Sequence, residues 1–413
     1  MMTRAELRLE SASYLNSLSR EELFTRFGIT RIGEVTGLDC LGIPVMTACR
    51  PAAKIVSVNA GKSMERSSAR AGAIAEAIEF STFERPGPHD FGLAHPLDYP
   101  LTLGSLWTPQ TPVAIEPIEN FFTGQVVNFP SALIWLVRPG NEPSYFQKSS
   151  NGQAAGGSFF DAILQAMYEC VERDQYVMRR ISMQKAGVWP PLATLEHPAV
   201  RAIERAGLKL FLFYCTFDIP IPVYWAIITD PSWRHCGGWG AHIDPHIAAE
   251  RAVLEAVQSR AVVISGARDD LERRDPDWTS SVAAIKELEA LPVTHPLASL
   301  PQELSAEEEL LLVFARLGEG WLSRTWFKHV EVSSLLHVVK VQILGLEQPV
   351  MGQWKELRWS KLIKKLAEQS SMSVQASMES VLNAFGGNNG KDRHEPAISI
   401  PKLVLHGPRK RSS

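Results

Sequence analysis

The sequence has no long hydrophobic run and no strong excess of charge of either sign. No stretch of the chain approaches the roughly 18 consecutive apolar residues of a membrane-spanning helix, so we expect no membrane insertion. Its 413 residues include 42 basic and 45 acidic ones, a formal net charge of -3, which argues against a protein built mainly to bind nucleic acid or an anionic membrane. The first residues, MMTRAELRLES, mix acids with bases and contain no apolar segment, so we expect no signal peptide. These absences predict a globular, cytoplasmic protein.

Cysteine is scarce as well, and its spacing excludes two common uses. The five cysteines form no CxxC pair and no spacing typical of a zinc site; they are Cys40, Cys49, Cys170, Cys215 and Cys236. The histidines show no paired spacing either, so a zinc site is not expected. An odd, scattered set fits buried free thiols in a reducing compartment.

What the sequence does contain is one phrase in three approximate copies. The segments are GAIAEAIEF at 72–80, QAMYECVER at 165–173 and RAVLEAVQSR at 251–260. Each places a Glu among small and apolar residues, with a second Glu or Gln three positions later. Each copy also follows a β-prone run and a stretch that contains glycine. The sequence therefore predicts an α/β (α+β) fold with three repeated units of strand, glycine loop and helix.

Other elements are predicted from apolar periodicity and from turn residues. A helix is expected over 5–27, with SREE as a helix start, and a long ordered loop with little regular structure over 86–130. The remaining expected elements are a strand that runs into a glycine loop at 54–63, the repeat helices at 64–85, 159–180 and 246–268, strands at 131–139, 208–217 and 221–229, loops at 149–158 and 235–245, and a last strand and turn at 335–349.

The three repeat helices place their polar residues on one face, because positions i-4, i and i+3 of a helix lie on one side. The aligned sets, with Arg173 and Arg260 close by, are Gly72 with Glu76 and Glu79, Gln165 with Glu169 and Glu172, and Arg251 with Glu255 and Gln258. Such stripes are usually the solvent face of an amphipathic helix. Here, however, apolar residues surround the acids on most sides. A buried carboxylate needs a counter-charge, a proton or a metal ion.

Carboxylates from two helices suit a hard cation such as Mg²⁺, which usually takes one or two of them together with phosphate oxygens and water. Arg173 would then neutralise remaining phosphate charge, and the glycine loops could offer N–H groups to an anion. Lys62 lies in NAGKS, which lacks the first glycine of a P-loop; this lysine either reaches a phosphate or lies on the surface. The residues alone leave a nucleotide–metal site and an ion-pair network as equal alternatives.

Three segments, in order, resemble the YcaO family. AGKSMERSSARAGAIAEAIEF resembles its GKG-to-helix segment, SNGQAAGGSFFDAILQAMYECVERD its SNG segment ending in ExxERD, and GAHIDPHIAAERAVLEAVQSR its block ending in EAxQSR. The similarity covers residues 28–350, and three linked motifs are far more specific than one. It implies a YcaO-type fold with Glu-bearing helices around a nucleotide site. The chain then divides into an N-terminal helical segment (1–27), a YcaO catalytic domain (28–384) and a linker with a basic tail (385–413).

The resemblance implies ATP and Mg²⁺ as cofactors and a peptide as the substrate. In the family, ATP phosphorylates a backbone amide oxygen and so converts it into a leaving group. By position, the metal and nucleotide carboxylates are Glu76, Glu79, Glu169 and Glu172, and Arg173 is a phosphate contact. Further candidates for nucleotide binding are Lys62, Gln165, Glu255, Gln258 and Arg260. No residue is assigned a catalytic proton transfer.

Four positions depart from the family pattern. Ser63 stands for the second glycine of GKG, Gly72 for a serine before the first Glu pair, Phe80 for an arginine after it, and Gly157 for an asparagine of the SNG loop. These changes spare the carboxylates but remove polar contacts to nucleotide. They admit a degenerate member of the family as an alternative.

Two reactions share the amide activation. Attack by a Cys, Ser or Thr side chain of the precursor gives an azoline, and attack by an external sulfide gives a thioamide. Azoline formation is the commoner activity, whereas GITRIGEVTGLDCLGIPVMTACRP looks like the opening of members found beside a TfuA partner. We expect a cyclodehydratase of ribosomally made peptides, with thioamidation as the alternative and a non-catalytic peptide-binding scaffold as the rival. The implied partners are the precursor peptide, a ThiF-like leader-binding protein or a TfuA-like protein, and a second copy in a homodimer.

Overall fold

The structure is a computed structural model. It describes residues 2–84, 90–102, 104–137, 144–186, 189–230, 235–266, 282–295, 297 and 303–348. The predicted linker and basic tail (385–413) lie outside the described residues, as does the end of the predicted catalytic domain from residue 349 onward.

The helices and strands alternate along much of the chain. The helices are α1 (Arg4–Ser17), α2 (Arg20–Phe27), α3 (Arg66–Phe83), α4 (Phe159–Ala186), α5 (Pro198–Arg205), α6 (Pro245–Ser265), α7 (Val282–Glu289), α8 (Ala306–Leu317) and α9 (Glu319–Leu322). The strands are β1 (Arg31–Glu34), β2 (Val45–Cys49), β3 (Val58–Lys62), β4 (Asp90–Gly92), β5 (Val113–Asn120), β6 (Val126–Pro130), β7 (Gln153–Gly156), β8 (Leu192–Ala193), β9 (Lys209–Tyr214), β10 (Val223–Thr229), β11 (Cys236–Ala241), β12 (Val293–His295), β13 (Thr325–Ser333) and β14 (Leu336–Ile343). The predicted mixed α/β fold is confirmed.

The strands form three sheets, and one edge strand of each leads into a repeat helix. The strand orders are β1-β2-β3, then β11-β10-β9-β8-β12, and β4-β5-β13-β14-β7 with β6 paired to β5. Among the described strands, β3, β7 and β11 are therefore each an edge strand of their sheet. The next element after each of them is α3, α4 and α6 respectively. The threefold repeat of the sequence is thus a repeat of edge strand and helix.

The three units close on one another in a ring. Each helix packs on its own strand, and also on the strand of the following unit: α3 on β7, α4 on β11 and α6 on β3. The apolar faces of these helices are buried beneath the ring, at Ile74, Ile78, Met167, Val171, Val253 and Val257. The polar stripes of all three helices are thereby brought towards one another.

Several glycines before the repeat helices lie in strands. The strand predicted within 54–63 is present as β3 and includes Gly61, whereas the predicted loops at 149–158 and 235–245 contain the strands β7 and β11. A Cβ atom on Gly61 of β3 would stand 2.1 Å from the carbonyl oxygen of Ala69 in α3. On Gly156 of β7 it would stand 2.3 Å from the Ala162 nitrogen of α4. Glycine weakens a strand in isolation, yet here its missing side chain lets helix and strand backbones touch. Gly61 and Gly156 therefore serve the packing of strand against helix.

Two further predictions are corrected. Residues 86–130 were expected to be loop, but they hold β4, β5 and β6. The strand expected at 131–139 is instead a single turn of 3-10 helix over Ser131–Leu133, followed by irregular chain to 137; residues 138–139 lie outside the described part. Residues 131–136 are all buried, so the apolar run reflects burial in the core and not a strand.

The helix predicted over 5–27 is confirmed as helical but consists of two helices. Thr3 caps α1 and Ser19 caps α2, each in a capping box with the glutamate three positions later. Gly28 ends α2 in the left-handed conformation, with φ of 72°. Since α1 packs on α3, the N-terminal helices lie directly against the ring. Among the described residues, no helix has the length and apolar character needed to cross a membrane.

Candidate functional site

The two glutamates of α3 are half-buried and bind the edge strands of two units. Glu76 Oε2 accepts a hydrogen bond from the backbone N–H of Ala60 in β3, with N···O 2.7 Å. Glu79 Oε1 accepts one from the backbone N–H of Ala155 in β7, at 2.6 Å. An edge strand leaves alternate N–H groups without a partner in the sheet. The α3 carboxylates therefore accept hydrogen bonds from such N–H groups, and these bonds fix the carboxylates in position.

Burial and the negative charges of neighbouring carboxylates raise the pKa values of Glu79, Glu169 and Glu172. Burial first, and then the charge of Glu76, holds the pKa of Glu79 well above its ordinary value. Burial raises the pKa of Glu169, with Glu255 and Glu76 adding to the effect. Burial, then Glu255, raises the pKa of Glu172 to about 8. Five glutamates from α3, α4 and α6 thus form one cluster in which like charges are crowded.

Two cations lie against this cluster. Arg173 Nη2 is 3.8 Å from Glu169 Oε1, one helical turn away on α4. The positive charges of Arg173 and Lys62 partly oppose the rise in the pKa of Glu172, and Lys62 also opposes the rise in the pKa of Glu79. Lys62 is the last residue of β3 and is half-buried, so it is not a plain surface lysine. The structure brings together the four metal candidates with Lys62, Arg173 and Glu255.

Lys340 of β14 belongs to the same region and was missed by the sequence analysis. Its side chain is fully buried, and Nζ donates to the carbonyl oxygens of Ser149 and Asn151 at 2.7 and 2.6 Å. Burial lowers the pKa of Lys340 to about 8, while the nearby charge of Glu169 opposes that shift. The available signal was one lysine within the apolar strand LHVVKVQI. Lys340 holds the SNG loop in place beside α4.

The three remaining candidates, Gln165, Gln258 and Arg260, differ in their surroundings. Gln165 is half-buried on α4, one turn before Glu169. Gln258 is half-buried on α6, and its Oε1 has no hydrogen-bond partner within the described residues. Arg260 instead forms ion pairs, from Nε to Asp39 at 3.0 Å and from Nη1 to Asp230 at 3.1 Å. These two carboxylates already balance the charge of Arg260.

The departures from the family pattern have local structural reasons. Phe80 packs its ring against the hydrophobic core beside α3. A Cβ atom on Gly157 would stand 3.0 Å from both Cγ and the carbonyl oxygen of Leu7 in α1. Gly72 faces the strand glycine Gly61, whose Cα would be 3.5 Å from an added Cβ. Ser63 Oγ accepts from the backbone N–H of Glu65, in the turn between β3 and α3. Each of these residues therefore makes or permits a local contact: Gly157 with α1, Gly72 with β3, Phe80 with the core and Ser63 within its own turn.

The cluster fits a nucleotide–metal complex better than a bare ion. In the part of the chain that the structure describes, no group of three or more His, Cys, Asp or Glu side chains is arranged to hold a metal by itself. Mg²⁺ needs only one or two carboxylates when phosphates supply further oxygens. Arg173 Nε is also buried without a hydrogen-bond partner among the described residues. Crowded carboxylates and an unused guanidinium N–H suit a cation and a phosphate bound together.

Comparison with known proteins identifies the family. Residues 60–347 match the family model described as YcaO cyclodehydratase, ATP- and Mg²⁺-binding. That match covers more than half of the chain and includes all ten candidate residues named above. ATP and Mg²⁺, the predicted cofactors, are confirmed as those of the family.

Individual relatives agree with the match. An uncharacterised protein in the tfuA 3' region of Rhizobium leguminosarum bv. trifolii is 30% identical over 370 residues, which are 80% of this chain and 86% of that protein. The structure of YcaO from Methanopyrus kandleri bound with AMPPCP and Mg²⁺ superposes with a TM-score of 0.64 at 21% identity, covering 84% of this chain and 92% of that one. The Escherichia coli microcin synthetase McbBCD complex with pro-MccB17 bound gives a TM-score of 0.56 at 14% identity, covering 79% and 94%. The chain belongs to the YcaO family.

Proposed function

We propose that this chain uses ATP and Mg²⁺ to activate backbone amides of a ribosomally made precursor peptide, and that the activated amide is closed into an azoline by a Cys, Ser or Thr side chain. The observation that carries the proposal is the glutamate cluster. Burial and carboxylates from three helices raise the pKa values of Glu79, Glu169 and Glu172, next to Lys62 and Arg173. Such crowding is costly for folding alone and is relieved when a divalent cation is bound.

The roles of the residues follow from their positions. Bound Mg·ATP supplies the phosphoryl group that turns the amide oxygen into a leaving group. Glu76, Glu79, Glu169 and Glu172 are the candidate carboxylates for the cation, of which one or two bind it directly while phosphate oxygens supply further ligands. We propose that the nucleotide is bound by the neighbouring residues Gln165, Arg173, Glu255, Gln258 and Lys62. Because Glu76 and Glu79 are bonded to strand N–H groups, they act as fixed ligands and lose little freedom on binding. Glu172, with its pKa at about 8, gives up a proton as the cation binds.

Arg260 is not proposed as a nucleotide contact. Its pairs with Asp39 and Asp230 tie α6 to the turn after β1 and to the end of β10. We propose that it is a structural residue. Truncation of Arg260 would leave those two carboxylates without their counter-charge.

Thioamidation is the second candidate, and one observation favours it. The Rhizobium relative is named for its place in the tfuA 3' region. We propose a TfuA-like protein as the partner in that case, and a ThiF-like leader-binding protein in the case of cyclisation. The precursor peptide is the substrate in both. A homodimer is proposed for the working enzyme, and light scattering of the purified protein measures it.

The test is to incubate the purified chain with its precursor peptide, Mg·ATP and each candidate partner, and to weigh the peptide. Cyclisation removes one water per ring, whereas thioamidation exchanges one oxygen for one sulfur and requires a sulfide source. A mass change that depends on ATP and disappears in Glu169→Gln supports the proposal. An unchanged peptide, together with no ATP turnover under any of these conditions, favours the non-catalytic scaffold and contradicts it.

A further inference from the structure

A row of aromatic rings crosses the sheet at β9, β10 and β11. Phe213 pairs with Trp225 in the strand register, and Trp225 pairs with Trp239. The rings of Trp225 and Trp239 are stacked, with their centres 5.4 Å apart and their planes 9° from parallel. Successive residues of a strand point to opposite faces, and Gly238 packs against α6. The row therefore lies on the face of the sheet that points away from α6.

The row runs from the core to the surface. Phe213 is fully buried, whereas Trp225 and Trp239 are half-buried, so part of each indole reaches solvent. The indole N–H groups of both tryptophans have no hydrogen-bond partner among the described residues. The outer end of the row thus offers a flat apolar surface together with two unused hydrogen-bond donors.

Gly237 leaves the edge of the Trp225 indole uncovered. It is exposed and lies in β11 on the same face as Trp239. A Cβ atom on Gly237 would stand 3.1 Å from Trp225 Nε1. Glycine weakens a strand, and it often marks a place where a ligand or another backbone approaches closely. Contact with the backbone of α6 explains Gly238 and Gly240, but Gly237 points to the other face and needs a different reason.

The exposed end of the row meets α4 beside the glutamate cluster. The Tyr176 ring of α4 lies 4.8 Å from the Trp239 ring, edge to face. Tyr176 follows Glu172 by four residues, so the two lie on one side of the helix, about 6 Å apart along its axis. An extended peptide advances about 3.3 Å per residue. About two or three residues of a peptide therefore span the interval from Glu172 to the row.

We propose that Trp225 and Trp239 bind an aromatic side chain of the precursor peptide, two or three residues from the amide that is activated. The inference rests on the proposed function and narrows its substrate class. An aromatic ring extends the stack, since such rings favour offset or edge-to-face contact at about 4.5–7 Å. The two indole N–H groups donate to carbonyl oxygens of the peptide backbone. The row carries no charged side chain, so it selects aromatic residues over charged ones.

Fluorine NMR with a capped tripeptide tests this, using the full-length protein without Mg²⁺ or nucleotide. The probe is acetyl-Gly-X-Gly-amide, in which X is 4-fluorophenylalanine, and its signal should broaden in a saturable way. Trp239→Leu keeps an apolar side chain but removes the ring, and it should weaken binding by roughly threefold to tenfold. Phe91→Leu removes an exposed ring from β4; it is the matched control and should bind as the unchanged protein does.

A second variant guards against misfolding of Trp239→Leu. Gly237→Ala changes no buried side chain, and its methyl group would cover the edge of Trp225. It should also weaken binding of the probe, while circular dichroism shows the native fold. An unbroadened signal with the unchanged protein, or equal binding by Trp239→Leu, would overturn the proposal. Displacement of the probe by acetyl-Gly-Glu-Gly-amide as readily as by acetyl-Gly-Phe-Gly-amide would overturn it too.

Two further measurements separate this site from the nucleotide. Bases also stack on aromatic side chains, so a fall in Mg·ATP affinity in Trp239→Leu would assign the row to adenine and overturn the proposal. Glu172→Gln should lose Mg·ATP binding and keep binding of the probe. If it keeps both, the proposed role of the glutamates fails while the aromatic site stands.

Discussion

Glu79 of α3 binds the backbone N–H of Ala155 in β7 across 2.6 Å, so a single candidate ligand of the site also joins two units of the ring. The bond runs from the first repeat helix to the strand that leads into the second. Glu76 makes the corresponding bond to its own strand at Ala60. The carboxylates of α3 therefore join helix to strand, and we also propose them as ligands of Mg·ATP. Suitable substitutions separate these two roles.

Glu79→Ala should reduce both stability and Mg·ATP binding. It removes the acceptor of the partly buried Ala155 N–H, and we expect a loss of about 1–3 kcal/mol in the free energy of unfolding. Glu79→Gln keeps an acceptor oxygen and should lose less stability while binding Mg·ATP as poorly. Urea unfolding and calorimetry measure the two effects. Glu10→Ala, on the exposed side of α1, is the control, and equal stability of all three proteins would refute the structural part.

Gly157→Ala should loosen the N-terminal helix. The new Cβ would stand 3.0 Å from Leu7 Cγ and from the Leu7 carbonyl oxygen, and 3.1 Å from Ser11 Cβ. Overpacking of this kind costs about 1–3 kcal/mol, to be measured by thermal or urea unfolding. Gly37→Ala is the matched control, since nothing lies within 4 Å of its added Cβ. If both variants are equally stable, α1 does not pack on this turn as described.

Gly238→Ala should prevent the third unit from forming. Its Cβ would stand 2.1 Å from the Ala256 nitrogen and 2.4 Å from the Ala252 carbonyl oxygen, both backbone atoms of α6. Backbone atoms within a helix cannot step aside, so we expect a loss of more than about 4 kcal/mol or an insoluble protein. Gly320→Ala, with nothing near its added Cβ, should fold normally. A soluble Gly238→Ala with native stability would contradict the close packing of β11 on α6.

Binding of Mg·ATP should release protons near neutral pH. The pKa of Glu172 is about 8, against an ordinary 4.5, so this carboxyl is largely protonated at pH 7 and a bound cation favours its ionised form. Affinity should therefore rise as pH increases towards 8. Before ligand is added, the folded protein holds a proton that the unfolded chain has lost, so this group's contribution to stability falls as pH rises from 4.5 to 8.

Calorimetry in two buffers with different heats of ionisation measures the proton release. The observed heat should depend on the buffer, and the dependence should shrink in Glu172→Gln. Glu10→Gln serves as the control and should keep the full dependence. Identical heats in both buffers would mean that no carboxyl of the cluster loses a proton on binding.

The repeat helices were predictable because acids set among apolar residues recur at helical spacing. A strand was expected before each helix, but the glycine stretches were assigned to loops, since glycine has low strand propensity and its role here, close contact between strand and helix, depends on tertiary packing. Lys340 was overlooked for a related reason: one lysine in an apolar strand shows its function only when β14 is placed beside the SNG loop. Arg260 shows the converse case, because its spacing suits the site while its ion-pair partners, Asp39 and Asp230, lie elsewhere in the sequence.

The most direct test of the central claim is Mg²⁺-dependent ATP binding by Glu169→Gln. The substitution keeps the size of the side chain and removes one negative charge from the cluster shared by α3, α4 and α6. If these helices hold Mg·ATP, affinity measured by calorimetry should fall by roughly tenfold or more, an amount equal to about 1.4 kcal/mol for each factor of ten, while Glu10→Gln binds normally. Unchanged affinity in a folded Glu169→Gln would contradict the claim.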